Sequence, residues 1–298
     1  MTCSAARERV EVRMGAGLVT LENDALRVQI SARGAEMQSI VKKDSGCEYL
    51  WQGDSAVWSD RAPWLFPIIG QLRGGAYRCG GREYALPMHG FASGMTFEVE
   101  TSGGTEAVFT LRATEETLEM YPWRFMLTIA YALREGELRI RCAVRCEEER
   151  EMYFSLGAHP GFVCAPGDVL SFEGAGALAC QRLNPGSHLL EERSVELGEA
   201  IELREELFDA DAMLLRAPAC EGATLRRRDG TGVRFEFGRV PWVGVWTRAR
   251  SGLRYVCIEP WYGVDDPVDA QGDIERKPDI VRLPAGDTFE MNLSIRPQ

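Results

Sequence analysis

Hydrophobic and polar residues alternate with a period of two along most of this chain, in short runs broken by turn-forming residues. The pattern predicts strands at 18–22, 26–30, 34–41 and 48–51, with Asn23-Asp24, Arg33-Gly34 and the 43–46 segment as turns, which makes a β meander. Strands at 77–79 and 82–85 follow, joined by Gly80-Gly81, a pair able to supply the positive φ angles of a tight hairpin. The alternation continues through 97–101, 107–113, 125–133 and 137–146. In the last of these Leu138, Ile140, Cys142, Val144 and Cys146 face one way, and Arg139, Arg141 and Arg145 the other. The second half repeats the texture at 212–216, 224–228, 233–237, 243–247, 255–259 and 289–295.

Helical signal is thin: 195–208 suggests one or two short turns and 55–61 another. Residues 1–17 are charged, lack a period and read as a loose N-terminal extension, with Met14 as an alternative start. Strands spread evenly over 18–298, without linker or repeat, predict one all-β domain. A large antiparallel β-sandwich is expected, because sheet-on-sheet packing is what buries the inner faces of so many short strands.

Composition narrows the partners. With 45% hydrophobic residues in 298, the chain can bury a substantial core. A formal charge of −11 and a pI near 5.0 oppose nucleic acid or an anionic membrane as the main partner and leave a small neutral ligand. No apolar run approaches the roughly 18 residues that span a bilayer, and the first residues lack the apolar core of a secretion signal, so a cytoplasmic location is expected. The nine cysteines are scattered. The close pair Cys142 and Cys146 shares one strand face without a second pair or a histidine at ligand spacing, so it reads as two core thiols and no metal site is expected.

Four stretches break the β texture with residues that have no packing reason to be there. Arg61-Ala62-Pro63-Trp64-Leu65-Phe66-Pro67-Ile68-Ile69-Gly70-Gln71-Leu72 is a proline-flanked loop with two polar side chains, Arg61 and Gln71. Leu86-Pro87-Met88-His89-Gly90-Phe91-Ala92 and Ser155-Leu156-Gly157-Ala158-His159-Pro160-Gly161 each place a histidine where a strand gives out, and the chain holds three histidines in all. The third, His188, lies in the polar turn Pro185-Gly186-Ser187-His188 and reads as a surface residue. Cys257-Ile258-Glu259-Pro260-Trp261-Tyr262-Gly263-Val264-Asp265-Asp266 delivers a carboxylate and then two aromatics. A histidine or glutamate at a strand end often serves only as a hydrogen-bonding group. Two histidines, a glutamate and aromatics gathered at strand ends, however, are what a sandwich uses to build a pocket. Aromatic faces suit the C–H faces of a sugar ring and polar groups its hydroxyls. Without two carboxylates flanking a glycosidic bond, a His–Glu pair suits proton transfer at a hemiacetal better than glycoside hydrolysis.

At these residues the chain resembles the aldose 1-epimerase (galactose mutarotase-like) family, and its LacX-like branch in particular. The likeness runs from about residue 18 to 295. It includes Gly34-Ala35-Glu36-Met37-Gln38-Ser39-Ile40, Glu48-Tyr49-Leu50-Trp51-Gln52-Gly53, Phe66-Pro67-Ile68-Ile69-Gly70, His89-Gly90-Phe91-Ala92, Gly157-Ala158-His159-Pro160, Ile258-Glu259-Pro260-Trp261-Tyr262-Gly263 and Leu283-Pro284-Ala285-Gly286-Asp287-Thr288-Phe289. The resemblance implies a β-supersandwich that interconverts the α and β anomers of an aldohexose without a cofactor. Glu259 would be the general base and His159 the general acid. His89 and Asp211 would hold the sugar, with Gln71, Arg61 and Trp261 also expected around it; Asp209 competes with Asp211 for its place. Gln71 and Ser93 stand where family members often carry arginine. Two other readings therefore stay open: a sugar-binding or regulatory protein without turnover, and a hexose-6-phosphate 1-epimerase using Arg61 and Arg73.

Overall fold

The computed structural model describes residues 17–298 apart from 175–177, 185, 199 and 217–219. The expected extension over 1–16, the alternative start at Met14 and Cys3 lie outside the described residues. The strand ladders are antiparallel. A nine-stranded sheet runs in the order Ala200–Glu202, Val169–Glu173, Gly222–Arg226, Gly232–Glu236, Thr288–Pro297, Glu137–Cys146, Phe125–Arg134, Glu106–Arg112, Glu98–Gly103. A second sheet runs Leu190–Leu197, Leu178–Leu183, Met213–Arg216, Trp242–Trp246, Tyr255–Tyr262, Leu156–Ala158, Trp64–Leu65, and Gly161–Val163 also pairs with Tyr255–Tyr262. The N-terminal meander forms a third sheet of Leu18–Glu22, Leu26–Ser31, Met37–Lys42 and Cys47–Glu48. Among the described residues no helix is long and apolar enough to cross a membrane.

The expected strands are found, and their edges move for local reasons. The strand expected from 34 begins at Met37, because Gly34 and Ala35 both take positive φ and turn the chain. The strand expected at 48–51 stops at Glu48, whose carboxylate accepts the N–H groups of Ile40, Tyr49 and Leu50 in place of a ladder. The short turns expected are found in part. Residues 195–197 close a strand, 200–202 form an edge strand, and only Glu205–Phe208 makes a 3-10 turn, while 55–61 holds turns without a helix. The α-helix that does form, Glu115–Met120, is capped by reciprocal bonds between Thr114 and Thr117. Leu178–Leu183 and Leu190–Leu197 were not anticipated; the second is the edge strand of its sheet, and the four charged residues in its sequence obscure a period of two.

The two large sheets face one another across a shared core. Phe235 of the nine-stranded sheet meets Phe162 of the other at 5.7 Å between ring centres. Trp64 donates its indole N–H to the Tyr131 hydroxyl at 2.9 Å, and that hydroxyl donates to the Ala35 carbonyl at 2.7 Å, a buried chain that ties all three sheets. Cys142 and Cys146 are core thiols on the inner face, as expected.

Strand Tyr255–Tyr262 is buried along almost its whole length, unlike an ordinary antiparallel strand with one wet face. Val256 and Ile258 point into the core between the sheets. Tyr255, Cys257, Glu259 and Trp261 point the other way, where loops cover the sheet's outer face. That covered outer face is where the chemistry sits.

The strict inward and outward faces of Glu137–Cys146 make a direct test. Ile140→Ala is expected to cost about 2–5 kcal/mol through the void it leaves, whereas Arg141→Ala, which breaks an exposed pair with Glu290, should cost less than about 1 kcal/mol. Urea unfolding of both variants measures the contrast.

Candidate active site

Glu259 enters the site because of strand parity: Cys257, Glu259 and Trp261 share the outer face, and Glu259 pairs with Gly244 on the neighbouring strand. On the other side Gly157 pairs with Trp261. A Cβ on Gly157 would lie 2.5 Å from Trp261 Cδ1, and one on Gly244 would lie 2.9 Å from Trp261 Cζ2. The two missing side chains let the indole lie flat across three strands, as a shelf beside the carboxylate. Its N–H has no protein partner.

His159 sits between Leu156–Ala158 and Gly161–Val163, where Pro160 interrupts the pairing. Its backbone N–H is held by the Pro63 carbonyl at 3.0 Å. This places Nε2 at 3.1 Å from Glu259 Oε2, with the glutamate 1% exposed. Trp58 packs at 5.1 Å from the imidazole, and Trp246 meets it edge-on at 5.7 Å. Nδ1 of His159 has no partner.

His89 stands in a loop at φ 64, not at a strand end. It is gripped through Gly70 from both directions: His89 N–H donates to the Gly70 carbonyl at 3.0 Å, and Gly70 N–H donates to His89 Nδ1 at 3.0 Å. Nδ1 is therefore the acceptor, which leaves the ring proton on Nε2. Gly70 has no room for a side chain, because its Cβ would fall 1.9 Å from Asp265 Oδ1. That Asp265 oxygen accepts the Gln71 N–H at 2.8 Å, while Oδ2 is buried and unpartnered. Asp266 does the same one step along: it accepts the Arg73 N–H at 2.9 Å and pairs with buried Lys277 at 2.6 Å.

These groups line a cavity of about 300 Å³ together with Asp60, Pro63, Met88, Leu183, His188, Asp211 and Ala212. Asp211 bonds His188 Nδ1 at 2.7 Å, so His188, a partly exposed residue in its polar turn, also forms part of the cavity wall. Asp209 is taken by Arg250 outside, which leaves Asp211 as the carboxylate of this wall.

Two expected residues do not reach the cavity. The Gln71 amide turns back to the Leu72 carbonyl at 3.1 Å, and the Arg61 guanidinium donates to the Gln38 carbonyl at 2.7 Å. Their positions follow from backbone demand: Glu36 accepts the N–H groups of Arg61 and Ala62, and Asp265 holds that of Gln71. Arg73 is likewise engaged with the Ala270 carbonyl. Among the described lining residues there is no lysine or arginine. Conversely, Trp58, Trp246 and Asp265 were missed. For Trp246 the signal was available, since it shares a strand face with Gly244; nothing local in 55–61 points to Trp58.

Burial governs the charges. It holds His159 well below the ordinary imidazole range, with His89 adding to the effect, and takes His89 down to about 4. It pushes Glu259 well above the usual carboxylate range, helped by Asp265 and Asp211, and raises Asp265 to about 6. For a pair in contact these shifts have one meaning. The state with a single proton between His159 and Glu259 is neutral overall, whereas gaining or losing a proton leaves a buried net charge. In water the one-proton state would prevail only from about pH 4.5 to 6.5; burial opposes both charged alternatives and so favours that neutral state.

The fold and cavity define an all-β sandwich protein with a buried histidine–glutamate contact at a cavity on the outer face of one sheet. Within that class, the chain belongs to the aldose 1-epimerase family, whose model matches residues 17–272. It is 30% identical over 295 residues to the chromosomally encoded protein LacX of Lactococcus lactis subsp. lactis, covering 93% of this chain and 98% of that one. A galactose mutarotase related enzyme from Lactobacillus acidophilus superimposes with a TM-score of 0.90 at 30% identity, covering 94% of this chain and 97% of the other. A galactose mutarotase-like protein from Lactobacillus casei gives 0.89 at 27% identity, covering 95% and 100%. The fold is thus the galactose mutarotase-like β-sandwich expected from the sequence.

One consequence concerns stability. Burial raises the Glu259 pKa in the fold, while in the unfolded chain the carboxyl ionises above about pH 4.5, so its contribution is lost as pH rises from there toward its raised folded value. Glu259→Gln mimics the protonated form. It should melt higher than the parent protein at pH 8, with the gain shrinking toward zero near pH 4.5, as read by thermal unfolding across pH.

Proposed function

We propose that this protein is an aldose 1-epimerase that interconverts the α and β anomers of a free aldohexose. The observation that carries the reading is the 3.1 Å contact of His159 with Glu259, buried at the floor of a cavity sized for one sugar ring and flanked by the flat Trp261 indole. The ring lies with its C–H face on the indole. The reactive form of the pair is its ion-pair tautomer, reached when the single proton passes from Glu259 to His159 across the 3.1 Å contact; Glu259 then takes the proton of the anomeric hydroxyl as its oxygen becomes a carbonyl, the bond from C1 to the ring oxygen breaks, and His159 gives that oxygen a proton. Rotation about C1–C2 and reversal of both transfers close the ring on the other face. Proton count is conserved: the pair begins and ends each half-reaction with one proton, moved from His159 to Glu259 through the sugar. No net charge leaves the buried site. His89, its proton fixed on Nε2, donates to the sugar, and Asp211 with His188 accepts from its hydroxyls.

The lining also supports a neutral substrate. A phosphate would meet Asp60, Asp211, Glu259 and Asp265 with no cation to answer it, since Arg61 and Arg73 are engaged outside. The eight described cysteines are free thiols, which suits the reducing conditions of a cytoplasm.

Polarimetry or anomeric-proton exchange NMR on glucose and galactose is the test. Glu259→Gln and His159→Ala should each lower kcat by about 10²–10⁴, with hexose 6-phosphates handled more poorly than free hexoses. Parent-level rates in both variants, or preference for the phosphorylated sugars, overturn the reading. The parent's kcat should stay flat across neutral pH, because burial lowers the His159 pKa and raises that of Glu259 and so favours the one-proton state of the pair.

Gly157→Ala tests the shelf separately. The new methyl would displace the indole without touching the pair, so KM should rise by about tenfold while kcat falls less, one lost aromatic contact being worth about 1 kcal/mol.

A further inference from the structure

Cys257 has no part in the chemistry above, yet its thiol lies on the same strand face as Glu259. One ligand atom each from His159, Cys257 and Glu259 all fall within 4.8 Å of one another. The three residues are 8%, 0% and 1% exposed, and Glu259 Oε2, the oxygen 3.1 Å from His159 Nε2, is buried without a hydrogen-bond partner. We infer that these three side chains form an inhibitory site for a thiophilic divalent cation, with zinc as its natural occupant. Its effect on turnover rests on the epimerase reading, while its binding does not.

The donor set is the argument. Thiolate, imidazole and carboxylate are the ligands zinc takes, at about 2.0–2.3 Å, which sets neighbouring ligand atoms about 3.3–3.8 Å apart in a tetrahedron. The present spacing needs only side-chain adjustment to reach that. The fourth position opens on the cavity, which supplies the entry route and a water or sugar hydroxyl as last ligand. Charge balances as well: Cys257 gives up its thiol proton and the His159–Glu259 pair its shared one. Two protons leave, and the divalent ion sits with a thiolate and a carboxylate as a neutral buried unit. Burial and Glu259 hold the free thiol strongly protonated, so Cys257 is inert until a cation arrives. Occupancy removes both proton-transfer groups at once, so the metal-bound protein cannot turn over. Trp58 and Trp246, packed against His159, restrict the site to a bare ion.

Calorimetric titration of the full-length protein with zinc chloride, beside Cys257→Ser, tests this. The parent should bind one ion and release about two protons, seen as a buffer-dependent enthalpy, and serine should weaken binding by at least about tenfold. Cobalt in place of zinc should show a thiolate charge-transfer band in the parent that Cys257→Ser and Cys257→Ala lack. Zinc should stop mutarotation of the parent, reversed by a chelator, while Cys257→Ser keeps basal turnover and resists inhibition. Circular dichroism of both variants establishes that they fold. Equal zinc affinity in the parent and the folded variants, or a cobalt spectrum without the thiolate band, overturns the site. Zinc binding with no mutarotation at any metal level would instead count against the epimerase reading and leave the site standing.

Discussion

Everything in the outer face of the second sheet depends on burying two titratable groups 3.1 Å apart, which favours their neutral, one-proton state. A histidine and a glutamate in water hold that single proton over a narrow acid range and part with it before neutrality. Buried together, they keep it, because each alternative would strand a net charge away from solvent. The protein therefore need not tune either residue by a special partner. It has only to exclude water from both, which Trp58, Trp246 and the flat Trp261 do from three sides. The same exclusion would make the pair strong in catalysis, since charges that appear during proton transfer are not screened.

Excluding water while leaving a sugar-sized space is a problem of loops, and the loops are held by backbone bonds. Gly70 links His89 to the 63–72 loop in both directions, and Asp265 and Asp266 take the N–H groups of Gln71 and Arg73. Gly70 lies so close to Asp265 that no side chain fits. The result is a cavity wall with few free degrees of motion, in which His89 has a fixed tautomer before any ligand enters. The cost is a carboxylate oxygen, Asp265 Oδ2, left buried and unpartnered, whose charge then lifts Glu259 further toward its protonated form.

A buried histidine and glutamate next to a cysteine also attract metal, and the sandwich places all three on one side of one strand junction. Strand parity makes this unavoidable once Cys257 and Glu259 are two residues apart. The site proposed to move protons on a neutral sugar would thereby also suit a soft cation, with the same desolvation favouring both neutral assemblies.

Much of this was legible along the chain. Period-two alternation located most strands, and in 137–146 it told inner from outer side chains residue by residue, because a core face tolerates no charge without compensation. The motifs holding His159, Glu259, His89 and Trp261 stood out as polar or aromatic residues without a packing reason, and all four side chains meet at one cavity. Asp211 could be named but not told from Asp209 until Arg250 was seen to occupy the latter. Arg61 and Gln71 were misassigned because polar type says nothing about direction: their loop spends one side chain on the Gln38 carbonyl and the other on that of Leu72. Trp58 and His188 come from turns with no period, and only packing brings them to His159 and Asp211. The sequence by itself determined the strands, the fold and the chemical types at the site, since burial and hydrogen-bond satisfaction act locally on each strand. Which polar groups face the cavity was decided by the tertiary structure alone, through bonds between residues up to about two hundred positions apart, such as Gln71 with Asp265.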